Sequence, residues 1–175
     1  MQNIKKRLLS LPDKASAFTL INTFQSLFNT QMLTAATLTG GAAAVVTTGN
    51  AFNAIVNGIL VSKATGASLA VLGGPTIANT GATCQAWIFV MDSAGTFYTL
   101  PGVPATTIAG IQLPPVNEVA NFTGQSQLAQ CVVGILTINN ASVGAFIPNT
   151  TLLNVASLNV IFNNTVGPFF PVQNL

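Results

Sequence analysis

A chain of 175 residues is long enough for one β-type domain with its own core plus an additional segment, and too short for two large domains. Half of the residues are hydrophobic and 5% are charged, where an ordinary soluble domain carries roughly 25% charged residues. A surface built from Asn, Gln, Ser, Thr, Gly and exposed apolar atoms opposes self-association poorly, so contacts with neighbouring molecules are expected to cover much of it.

The few charges are unevenly placed. Lys5, Lys6, Arg7, Asp13 and Lys14 fall in the first 14 residues, and only Lys63, Asp92 and Glu118 follow. A nucleic-acid-binding face needs clustered Lys and Arg, which the body lacks, so no nucleic-acid partner is expected. After Arg7 the apolar run Leu8-Leu9-Ser10-Leu11 is stopped by Pro12, Asp13 and Lys14. It is far short of a signal-peptide core or a span of about 20 apolar residues, so neither export by this route nor a membrane partner is expected. Phe18-Thr19-Leu20-Ile21 is similar to the start of a type IV pilin, but the preceding Gly, the acidic residue and the long apolar helix of that family are missing.

Residues 1–40 read as an N-terminal arm and residues 41–175 as the β-domain. In the arm, Leu20, Ile21, Phe24, Leu27, Phe28 and Leu33 recur at spacings that place them on one stripe of a helix. Pro12 and Asp13 suit its start. Frequent Thr and Asn leave an extended arm as the alternative. Gly40-Gly41 marks the break, after which short β-type runs alternate with Gly, Pro and Asn, the rhythm of an all-β sandwich or jelly-roll-like domain.

Within that domain, Phe52 to Lys63 contains two β-rich runs around Asn57-Gly58, the pair that fits a type I′ hairpin turn. Residues 64 to 82 read as loop with a short strand at Leu69 to Leu72. Thr83 to Met91 is apolar at both alternating sets, so this strand is expected to be covered on both faces. Asp92-Ser93-Ala94-Gly95 supplies a turn, and Thr96 to Leu100 the returning strand. Between Pro101 and Gly124 the best strand candidate is Thr107 to Leu113. Leu128 to Ile138 reads as a second buried strand, Gly144 to Pro148 as a short extended piece, and Ser157 to Phe162 as the last strand.

Residues that carry chemistry are nearly absent. There is no His, and there are three acids in all, so general acid and base catalysis has no ordinary participants. A Ser or Cys nucleophile has only Lys63, Asp92 and Glu118 in the body as activating groups. Asp92 begins a turn and is expected to bond its backbone; Lys63 ends a strand and is expected at a solvated or interface position. Cys84 and Cys131 are 47 positions apart without Cys-x-x-Cys spacing, and they read either as two buried thiols or as a disulfide between core strands. No metal site, cofactor or phosphate-binding loop is indicated. The Asn-x-Ser/Thr triplets at Asn121, Asn140, Asn149 and Asn163 are what chance produces in a chain rich in Asn and Thr. These observations describe a structural protein and not an enzyme.

Several segments together resemble the head decoration, or cement, proteins of tailed bacteriophages. They are Val56 to Ala64, Cys84 to Thr96, Leu113-Pro114-Pro115-Val116, Val132 to Ile138 and Phe146 to Leu152, spanning about residues 50 to 163. The resemblance implies a β-sandwich-like domain, a homotrimer, made in the host cytoplasm and seated on the virion exterior where major capsid subunits meet. Lys5, Lys6 and Arg7 would then pair with acidic groups of the shell, and Leu20, Phe24, Leu27 and Phe28 would bury an apolar stripe against a neighbour. The other classes compatible with the sequence are a different minor virion protein of the tail or fibre base, and a bacterial surface adhesin or pilin-like subunit.

Overall fold

A computed structural model of the chain describes Ile21 and residues 28–40, 44–69, 72–78, 83–113, 130–140, 144–155 and 158–167. Asn57 and Gly58 have φ of 52° and 76°, the left-handed values that let a two-residue turn match the twist of its strands. β4 (Phe52–Val56) and β5 (Ile59–Lys63) therefore pair antiparallel, with Val56 opposite Ile59 and Phe52 opposite Lys63. β1 (Gln31–Met32) joins the other side of β4, giving a sheet of order β1-β4-β5. β2 (Leu38–Thr39) and β3 (Thr47–Thr48) form a separate antiparallel pair.

Among the described residues strand structure thus begins at Gln31, upstream of Gly40-Gly41, and Met32, Ala36 and Leu38 lie in the core. Ile21 and Phe28 have helical backbone, but the helical stripe does not reach Leu33. The backbone of Leu33 bonds Asn53 across the sheet, and its side chain is exposed. Leu20, Phe24 and Leu27 lie outside the described residues.

The second sheet contains β6 (Cys84–Asp92), β7 (Phe97–Pro101), β8 (Gln130–Asn139) and β9 (Asn159–Asn164), all antiparallel, in the order β7-β6-β8-β9. Every residue of β6 is buried. Trp87, Phe89 and Met91 project into the core shared with Phe52, Ala54, Val56 and Val61 of the facing sheet. On the opposite face Ile88 and Val90 pack with Val132, against the partly buried Tyr98, Leu100 and Ile135. The fold is all-β and sandwich-like, with antiparallel sheets meeting across one apolar core.

A bulge makes the apolar pattern of β8 compatible with that core. Phe89 pairs with Gly134 and Val90 with Val132, so Val133 is an extra residue without its own partner on β6. Leu136 and Ile138 face the core on one side of the bulge, and Val133 and Cys131 on the other. Because side chains alternate, an uninterrupted ladder would turn one of these sets outward. Gly134 sits at this bulge because a Cβ there would lie 2.6 Å from Leu38 Cδ1 and 2.8 Å from the Asn163 carbonyl oxygen.

The strand expected over Thr107 to Leu113 is not formed. Ile108–Gly110 is a 3-10 turn, and the segment's bridge among the described residues joins Gln112 to Val103. Its apolar residues Ile108 and Leu113 are exposed, so alternation there had no sheet partner to meet. At Leu69 to Leu72, Leu69 and Leu72 are buried and Ser68 bridges Thr47, while Ala70 and Val71 lie outside the described residues.

Candidate interaction surface

The two charged side chains among the described residues are both engaged within the fold. Asp92 is 3% exposed. Its Oδ1 accepts hydrogen bonds from the amides of Ala94 (2.9 Å) and Thr96 (2.8 Å), and its Oδ2 accepts one from the Tyr98 hydroxyl (2.9 Å). This carboxylate ties the β6–β7 turn, as expected for an Asp opening a turn. The bond to Asp92 also holds the Tyr98 phenol above its ordinary pKa, because removing its proton would break the bond and face the carboxylate with a second negative charge. Lys63, at the end of β5, places Nζ 5.5 Å from the centre of the Phe97 ring, a cation–π contact across the two sheets.

The thiols are free and buried. Cys84 pairs with Asn139 at one end of the β6–β8 ladder, and Cys131 pairs with Met91 at the other. The separation is about 23 Å at roughly 3.3 Å per residue, which excludes a disulfide between them within the chain. Burial pushes the Cys131 thiol up to about 12, far from the thiolate that a nucleophile or metal ligand requires.

The polar groups that remain organise loops. Trp87 Nε1 donates to the Gly73 carbonyl (2.6 Å), and Gln85 Nε2 donates to the Gly102 carbonyl (2.9 Å), so one face of β6 anchors two loop segments. Asn140 donates to the carbonyls of Ile77 (3.1 Å) and Gly144 (2.7 Å), and Asn149 exchanges hydrogen bonds with the backbone of Leu72. Two of the Asn-x-Ser/Thr triplets therefore have their Asn side chains committed to the fold. Among the described residues there is no group of three metal-ligating side chains, and no helix long and apolar enough to cross a membrane.

What the described surface does offer is exposed apolar area. Eleven large hydrophobic residues among the described residues are exposed, including Ile59 at 52%, Leu60 at 63% and Phe28 at 56%. Of the proposed contact residues, Phe28 is thus available on the surface, while Lys5, Lys6, Arg7, Leu20, Phe24 and Leu27 lie outside the described residues. Ile59 and Leu60 were legible as strand residues but not as surface, since alternation alone does not say that β5 is an edge. Comparison of the chain with protein-family models, with curated proteins and with solved structures finds no match.

Proposed function

We propose that this chain is a non-enzymatic structural subunit of an assembled particle, namely a decoration or cement protein on the exterior of a phage capsid. The observation that carries the reading is the contrast on the described surface: eleven exposed large apolar side chains, and one charged side chain, Lys63, that is not buried. Each few hundred Å² of such surface withdrawn from water contributes several kcal/mol at about 25 cal/mol per Å², before the entropic cost of association. With so little charge to repel a neighbour, the body is suited to packing against copies of itself, as a homotrimer, and against major capsid subunits.

The N-terminal segment complements this body. Lys5, Lys6 and Arg7 supply the positive charge that the rest of the chain lacks, and Leu20 to Phe28 supply apolar residues for a clamp on the shell. The test is to purify virions from the source, identify the chain in them by mass spectrometry and locate its density by electron cryomicroscopy. Density outside the capsid at subunit junctions is the expected result, and deletion of residues 1–30 should lower occupancy. A monomer that never enters particles would overturn the reading.

A further inference from the structure

The edges of the two sheets are not treated alike. β1 is closed by the chain that leaves β9: the Gly167 amide donates to the Met32 carbonyl (2.7 Å), and the Met32 amide to the Gly167 carbonyl (3.3 Å). β9 is held at its end by Asn164, whose Oδ1 accepts the Leu38 amide (2.8 Å). β7 finishes in Pro101, which has no N–H to offer a neighbouring strand.

Among the described residues β5 has none of these devices. Its five residues, Ile59 to Lys63, contain no proline, and their register against β4 is unbroken. With Val56 opposite Ile59 across a two-residue turn, the backbones of Ile59, Val61 and Lys63 face β4. The N–H and C=O groups of Leu60 and Ser62 therefore point away from the sheet, a template for another strand. Ser62 Oγ donates to Asn53 Oδ1 (2.7 Å) within its own sheet and does not obstruct this edge.

We propose that β5 pairs with β5 of a second copy, antiparallel about a two-fold axis at Val61, merging two three-stranded sheets into one of six strands. Charge selects this direction and does not oppose this occupant. In the antiparallel arrangement Leu60 lies opposite the partner's Ser62, and each Lys63 opposite the partner's Ile59. The two ammonium groups belong to positions four residues apart, about 13 Å at roughly 3.3 Å per residue, which exceeds the screening length of about 8 Å at physiological ionic strength. A parallel in-register pair would set both cations side by side. Each Lys63 also keeps its place over Phe97, so no charge has to be buried. A five-residue strand pair is small beside the roughly 800 Å² per partner of a standard interface, so pairing of free copies is weak and becomes durable where an assembly holds the copies close. In that respect the inference rests on the assembly reading, with the two-fold contact joining copies that belong to neighbouring trimers.

The register gives a direct test in the full chain. Leu60 and the partner's Ser62 form a hydrogen-bonded pair with Cα atoms about 5.5 Å apart, within disulfide reach. An equimolar mixture of L60C and S62C should form a disulfide-linked dimer under mild oxidation several-fold faster than either variant alone, or than V103C, which is exposed away from this edge. Ser62→Pro removes an outward N–H and the side-chain bond to Asn53 but leaves the backbone ladder to β4 in place, and should abolish the two-fold association in sedimentation equilibrium while the far-ultraviolet spectrum is unchanged. Cross-linking of the mixture no faster than the controls overturns the proposal. If the wild type associates and Ser62→Pro and Leu60→Lys associate equally, edge pairing fails and the assembly reading stands. A wild type that stays monomeric at every concentration and is absent from particles refutes both.

Discussion

β6 and β5 are both apolar strands of antiparallel hairpins, yet they meet opposite surroundings. β6 is buried on both faces, flanked by β7 and β8, and it anchors loops through Gln85 and Trp87. Among the described residues β5 is flanked on one side only, and Ile59, Leu60 and Ser62 reach solvent. The difference separates two uses of apolar sequence. In β6 the side chains hold the fold together, whereas in β5 Val61 joins the core and Ile59 and Leu60 are left exposed.

The largest expected effect sharpens that division. Trp87→Ala removes the largest fully buried side chain and its bond to Gly73, and should cost about 4 kcal/mol. Leu60→Ala should change stability by no more than about 0.5 kcal/mol. Guanidinium unfolding followed by far-ultraviolet circular dichroism measures both, and equal losses would break the comparison. Next is Gly134→Ala at the bulge, where the new Cβ meets Leu38 and the Asn163 carbonyl oxygen. Overpacking of this kind should cost about 2 kcal/mol, and an unchanged midpoint would show that the bulge yields without cost.

The smallest effect concerns the buried thiol. Cys131 in the unfolded chain ionises near 9.0, and in the fold only near 12. Between those values the unfolded chain has released a proton that the folded chain keeps, so rising pH favours unfolding. The stability this group contributes is complete below pH 9 and is lost as pH rises toward 12, with a slope of at most about 1.4 kcal/mol per pH unit. Urea midpoints measured between pH 8 and 10.5 should fall in the wild type and fall less steeply in Cys131→Ala. Parallel curves for the two proteins would remove Cys131 from the account.

Local chemistry was legible where it depends on neighbours in sequence. The Asn57-Gly58 turn, the Asp92 turn with its returning strand, and the two-sided burial of β6 are all formed as the residue patterns indicated. Thr107 to Leu113 failed because alternation shows which side chains share a face, not whether a partner strand lies beside them. Residues 31–39 were read as arm, since pairs of two residues such as Gln31–Met32 and Leu38–Thr39 are too short to show a period. Of the anticipated contact residues only Phe28 lies among the described ones. The open β5 edge was invisible, because being an edge is a property of the sheet order.

By itself the sequence determined that charge is scarce in the body, that catalytic residue types are nearly missing, and that the chain folds into short antiparallel strands. These follow from composition and from the two-residue period of a strand. Only the tertiary structure decided that Cys84 and Cys131 lie at opposite ends of the same ladder, that Val133 is absorbed in a bulge, and that the outer edge of β5 meets no strand among the described residues while β1 is closed by Gly167. Each depends on contacts between segments distant in the chain, and it is those contacts that divide the apolar residues between core and surface.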